Sequence, residues 1–352
     1  MYLDFFQLRE FPFRLTPDTE FIYMSAAHTR AKAYMDYTIW NRDGFVVITG
    51  EVGAGKTTLI QKLLDELDES VMVAKIFQTQ LDEAEFLQSV LVEFGLNPFN
   101  AKKVELIDML NSFLTEQFHN DKQLVLVVDD AHNLSPKVLE EIRMLSGLET
   151  QKEKVLHVIL VGQPALNELL ESPELEQLLQ RVRLRYHIKS LSEDEARAYI
   201  THRLQVAGMG DRHLFHSETF PIIHKYTGGL PRLINTLCDT ALVCAYADQV
   251  PIVTGAVLNG AIEELQWLPY AKRVNQRTQR ARPTNNEFQD VIKHHTRALI
   301  GIGEQMTQLD ALVPALNALA GRMASIETLL RHIAGGLPPA VPTAKKTTVR
   351  QD

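Results

Sequence analysis

The stretch "GFVVITGEVGAGKTTL", residues 44–59, decides the fold. Its first part is a short β-branched run closed by glycine, the composition of a strand buried on both faces of a parallel sheet. Its second part, Gly50 to Thr57, matches G-x-x-x-x-G-K-[ST] at every fixed position. In that pattern small residues let backbone N–H groups turn inward around phosphate oxygens. The helix that follows adds the partial positive charge of its N-terminus. A strand before the motif and a helix after it, from Lys56 to about Leu67, are the context that separates a phosphate cradle from a chance turn. Gly50, Glu51, Val52, Gly53, Ala54, Gly55, Lys56, Thr57 and Thr58 are therefore the expected binding residues. Lys56 is expected to reach the β- and γ-phosphates of a bound nucleotide, and the Thr57 hydroxyl to ligate Mg2+.

Such a cradle needs a metal carboxylate and a group to handle water. "QLVLVVDD", residues 123–130, ends a buried strand in two acids. Asp129 is expected to hold the metal through water, and Asp130 to orient and deprotonate the attacking water. Gln163 follows the next strand in "ILVGQP", where a polar side chain could sense the γ-phosphate. In "QRVRLRYHI", Arg181 and Arg183 sit at a helix-to-strand junction, and either could complete a neighbouring subunit's site as an arginine finger. "GGLPRLIN" puts Arg232 in the first turn of a helix after a Gly-Gly hinge, within reach of the phosphates.

Strands are expected at Val71–Phe77, Val155–Gly162 and Leu184–Ile188 besides the two above. Helical patterns separate them, at Ala26–Ile39, Glu83–Phe94, Val104–Phe118, Pro136–Gly147 and Pro173–Val182. That alternation indicates an α/β class: a five-stranded parallel sheet with helices on both faces over residues 1–190, entered through an aromatic-rich N-terminal segment. Residues 191–270 read as an all-helical lid, with helices at Glu193–Val206, Ser217–Tyr226, Pro231–Asp248 and Thr254–Glu264. Residues 271–298 read as a basic linker, because 272–282 hold five Lys/Arg and no acid. Leu309, Leu312, Leu316, Leu319, Met323, Ile326, Leu330 and Ile333 then form a heptad seam over 299–334, with Pro314 requiring a kink or restart. Residues 335–352 read as a disordered tail.

Composition excludes several classes. An apolar content of 45% with 23% charged residues is that of an ordinary globular protein. The net charge of −8 weighs against general coating of DNA, although the basic linker could touch nucleic acid or anionic lipid. Cys238 and Cys244 lie in an apolar helical pattern and read as buried thiols. The N-terminus lacks the cationic start and apolar core of a signal peptide, and no apolar run approaches the roughly 18 residues of a membrane span. The expectation is a cytoplasmic protein that meets a membrane only peripherally.

Together, "FPFRLTPD" (11–18), "ITGEVGAGKTTL" (48–59), "LVVDDAHNLSPKVLEEIRMLS" (126–146), "VGQPAL" (161–166), "ESPELEQLLQRV" (171–182) and "GGLPRLINTLCD" (228–239) resemble an AAA+ ATPase. More narrowly, they resemble the GspA/ExeA-like secretion ATPases, closest to those found with exosortase and exopolysaccharide export systems. The resemblance covers about residues 1–268. It implies a P-loop NTPase core, a helical lid, Mg-ATP, a homo-oligomer as the working form and the "FPF" segment near the adenine. The leading reading is a role in an envelope export assembly through a protein partner bound at the C-terminal helix, although the seam alone leaves open whether that helix pairs with itself, packs on the core or binds another protein, self-association being the simplest of these. A DNA-associated regulator of the transposition type and a nucleotide-gated scaffold are the competing readings. Two departures matter. The family usually carries Asp-Glu where this chain has Asp129-Asp130, with His132 where Gln is frequent; the shorter acid implies slower turnover. Membrane-anchored relatives follow the lid with a transmembrane helix and a peptidoglycan-binding domain, whereas here the basic linker and heptad seam follow.

Overall fold

Five strands rich in β-branched residues form one parallel sheet, ordered β2-β3-β4-β1-β5, in the computed structural model, which describes residues 2–41, 44–77, 79–147, 154–281 and Met323. Helices α1 (Tyr2–Phe6) and α2 (Ala26–Trp40) precede β1 (Phe45–Gly50), which leads into α3 (Lys56–Asp65) and β2 (Val71–Ile76). Next come α4 (Glu83–Glu93), α5 (Lys103–His119), β3 (Gln123–Val128), α6 (Pro136–Leu145) and β4 (Leu156–Gly162). The core closes with α7 (Ala165–Leu170), α8 (Glu176–Arg181) and β5 (Leu184–Ile188). The lid is α9 (Glu193–Val206), α10 (Thr219–Thr227), α11 (Pro231–Ala247) and α12 (Gly255–Glu264), and α13 (Tyr270–Ala281) follows it.

The strands between neighbours are continuous apolar runs because helices cover both faces. Every residue of β1 and β4 is buried. One face packs Leu124, Leu126, Val158 and Leu160 against α4, α5 and α6; the other packs Val46, Ile48, Val125 and Ile159 against α2 and α3. The lid has its own core of Ile200, Ile234, Leu237 and Leu258. The two cysteines are free and buried, as expected.

Three features depart from the sequence reading. The helix expected over Pro173–Val182 is a short 3-10 turn, Pro173–Leu175, before α8, and α7 stands ahead of it. The N-terminal segment packs with the lid rather than the sheet: Tyr2, Phe6, Leu8, Phe13 and Phe21 are buried in the lid's core. The basic stretch from residue 271 is helical through Ala281. Tertiary contacts fix its first turn, since Arg273 lies over the Trp267 ring at 4.3 Å and donates to the Tyr226 carbonyl. Long basic side chains are also good helix formers. Residues Met1–Asn275 form one compact unit. The heptad seam at 299–334 and the tail at 335–352 lie outside the described residues, Met323 excepted. Among the described residues no helix is long and apolar enough to cross a membrane.

Candidate active site

Because β1 ends at Gly50 and α3 starts at Lys56, the glycine-rich loop sits at the carboxyl end of a central strand. Its carbonyls are turned to partners. Lys56, only 8% exposed, donates from Nζ to the Gly50 oxygen at 2.9 Å and the Glu51 oxygen at 3.0 Å. The Gly53 oxygen accepts from the Arg232 N–H at 3.2 Å, and the Gly55 oxygen from the Leu59 N–H at 3.0 Å. The Ala54 oxygen is met by His28 Nε2 at 2.9 Å. With those carbonyls held, the first-turn N–H groups of α3, which lack intrahelical acceptors, are the groups able to meet an anion. Burial holds the Lys56 ammonium below the ordinary lysine value, against the opposing pull of Asp129, Asp130 and Glu51.

Asp129 stands one residue past β3 and is buried. Its Oδ2 accepts from the Thr57 hydroxyl at 2.7 Å, and its Oδ1 from the Asp130 N–H at 2.9 Å. A hydroxyl beside a carboxylate is a hard-oxygen pair, and no group of three or more His, Cys, Asp or Glu side chains gathers among the described residues. That donor set fits Mg2+, which retains waters and substrate oxygens rather than entering a protein cage. Asp130 has φ 50°, in the left-handed region that Asp tolerates better than most residues. Its carboxylate is 57% exposed and lies 4.0 Å from His132 Nδ1. The Gln163 N–H donates to that same Nδ1 at 3.4 Å, which puts the ring proton on Nε2.

Arg232 and the loop are in van der Waals contact. A Cβ added at Gly53 would fall 2.4 Å from Arg232 Cβ, so glycine is required for this approach. A cleft of about 410 Å3 gathers Lys56, Thr57, Asp130, Gln163 and Arg232 on its walls. Arg181 is elsewhere: its guanidinium donates to the Arg143 oxygen at 2.7 Å and Ser146 Oγ at 3.0 Å, closing the C-terminus of α6. Arg183 is exposed just ahead of β5, an edge strand, at the end of the sheet away from the cleft.

The sequence reading missed three contributors. Residues 14–18 and 21–23 line the cleft, whereas the "FPF" segment before them faces the lid, with the Phe13 ring edge-on to Phe215 at 6.2 Å. Tyr199, Arg203 and Asn235 hold that wall. Tyr199 Oη donates to Asn235 Oδ1 at 2.7 Å, Asn235 Nδ2 to the Arg14 oxygen at 3.2 Å, and Arg203 to the Pro12 oxygen. His28 is the third. A serine N-cap followed by a histidine in line with Ala31, Met35 and Ile39 on the buried face of α2 was the available signal.

Burial lowers the affinity of His28 and His202 for a proton relative to an ordinary histidine. The unfolded chain then binds more protons between each folded value and about pH 6.5, so stability falls as pH drops through that window. Melting temperature should decline from about pH 6.5 downward, ahead of any carboxylate effect near pH 4. His28→Gln should flatten part of that decline.

The AAA domain family matches residues 40–170. General secretion pathway protein A of Aeromonas hydrophila is 41% identical over 249 residues, 70% of this chain and 45% of that protein, so the chain spans less than half of its length. Among solved structures, the Aeropyrum pernix ORC2 protein in its ADPNP-ADP complexes superposes with TM-score 0.52 at 15% identity, covering 71% of this chain and 72% of that one. Drosophila ORC bound to DNA gives TM-score 0.57 at 17% identity over 75% and 66% of the two chains. At such identities these structures share the fold alone.

Proposed function

We propose that the chain, which is similar to general secretion pathway protein A and matches the AAA domain family over residues 40–170, is an AAA+ ATPase of that type that binds Mg-ATP between core and lid and hydrolyses it as a homo-oligomer serving a cell-envelope export assembly. The observation that carries the reading is the Thr57–Asp129 hydrogen bond of 2.7 Å beside buried Lys56. Lys56 exchanges the Gly50 and Glu51 carbonyls for the β- and γ-phosphates. Thr57 and Asp129 would hold Mg2+, which when bound neutralises charge developing on the phosphates. Asp130 orients a water and takes its proton as the water oxygen bonds to the γ-phosphorus and the bond to the ADP oxygen breaks. Gln163 contacts the γ-phosphate from the end of β4, and Arg232 from the lid, so cleavage and lid position are coupled. Arg183, exposed just ahead of the edge strand β5, is a better candidate than the half-buried Arg181 to enter a neighbour's cleft. The C-terminal region supplies the attachment to an export partner, with any membrane contact peripheral.

Asp130→Glu is the test of the water-handling step. Glutamate reaches one methylene further, so steady-state phosphate release should rise severalfold, at a small cost in melting temperature from the left-handed backbone. Turnover by the wild type that equals a no-protein control, with turnover only in Asp130→Glu, would convert the enzyme reading into that of a nucleotide-gated scaffold.

A further inference from the structure

The nucleotide loop is held from outside by a residue that no phosphate contact requires. His28 lies in the first turn of α2, 4% exposed, on the cleft side of the helix. Its Nε2 is 2.9 Å from the Ala54 carbonyl oxygen, and its Nδ1 is 2.7 Å from Ser25 Oγ. A carbonyl can only accept, so Nε2 carries the proton. Ser25, 2% exposed, then donates its hydroxyl proton to Nδ1 and fixes the ring plane. The ring also fills the space beside Gly55, where an added Cβ would stand 3.0 Å from Nε2. Ala54 is itself buried, so loss of this donor would leave a carbonyl without a partner in a dry place.

We propose that His28 is a positioning residue for nucleotide binding: the Ser25–His28–Ala54 chain pulls the Ala54 carbonyl outward and so turns the following amides, from Gly55 into the first turn of α3, toward the phosphates. This rests on the nucleotide reading above. The peptide unit couples the two ends rigidly, because a planar peptide that points its oxygen at α2 points its N–H the opposite way. Lys56 and Arg232 hold neighbouring carbonyls of the same loop, at Gly50, Glu51 and Gly53. His28 alone among the described residues reaches the Ala54 oxygen from α2. Its influence is therefore on the loop's shape and not on phosphate charge.

The test uses the full chain, titrated with N-methylanthraniloyl-ATP at neutral pH, with the melting temperature of the nucleotide-free protein measured alongside. His28→Gln places an amide N–H near the position of Nε2 and should bind within about threefold of wild type. His28→Asn reaches only the position of Nδ1, and His28→Leu fills the volume without a donor; both should bind about tenfold more weakly, the scale of one lost buried hydrogen bond. Ser25→Ala, which leaves the ring in place but unoriented, should fall between. A merely structural role would make affinity track melting temperature across the series, with Gln no better than Asn. Equal affinity for Leu, Asn and wild type overturns the proposal while leaving nucleotide binding intact. Failure of the wild type to bind at all, with a normal melting transition, would instead remove the nucleotide reading itself.

Discussion

Lys56→Ala is expected to bring phosphate release from ATP down to the no-protein background, a loss of at least about a hundredfold. The ammonium is buried at the junction of β1 and α3, where it donates to the carbonyls of Gly50 and Glu51. Burial disfavours its charge, so the site keeps a desolvated cation that a phosphate would stabilise. Alanine removes that cation and the two hydrogen bonds together. The cost to folding should be small, because removing a desolvated charge offsets the two lost bonds. Phosphate release and melting temperature measured on one preparation separate the two effects. A variant that melts like wild type yet releases no phosphate is the expected result.

Gly229→Ala should be the most damaging single methyl group in the described chain. Gly229 has φ +74°, and a Cβ there would lie 1.9 Å from the Leu191 carbonyl oxygen. The two backbones are also bonded, with the Leu191 N–H donating to the Gly229 oxygen at 2.9 Å. A methyl must push the start of α9 away from the start of α11 while forcing an unfavourable backbone angle. Together these cost at least about 3 kcal/mol. That corresponds to a fall in melting temperature of at least about 4–5 °C for a chain of this size. Arg232 lies three residues on and rests against Gly53, so nucleotide affinity should drop as well. Gly260→Ala is the matched control: it lies in α12 with nothing within 4 Å of an added Cβ, and should be neutral or stabilising by up to about 1 kcal/mol.

The sheet was legible because each central strand is an unbroken apolar run next to a motif with a fixed place in chain order. "GFVVITG" and "LVLVVDD" became β1 and β3, and Lys56, Thr57 and Asp129 converged as their spacing implied. Long-range packing was not legible. Nothing local tells that Tyr2 will donate to Asp239 at 2.6 Å, or that Arg203 will hold the carbonyl of Pro12, so the N-terminal segment's place on the lid could not be read. The junction arginines show the same limit. Position in sequence left Arg181 and Arg183 equivalent; the exposure of Arg183, and the placing of Arg181 against the Arg143 carbonyl and the Ser146 hydroxyl, appear only in the fold. His28 was hidden for a related reason: its partner, Ala54, is a backbone oxygen, and backbone oxygens carry no sequence signature.

If a neighbouring copy completes the ATP cleft, as proposed, turnover depends on assembly. Phosphate release per chain, measured against protein concentration for wild type and Lys56→Ala, tests it most directly. The account predicts that wild-type turnover per chain rises with concentration to a plateau while Lys56→Ala stays at background throughout. Wild-type release indistinguishable from Lys56→Ala at every concentration would contradict it.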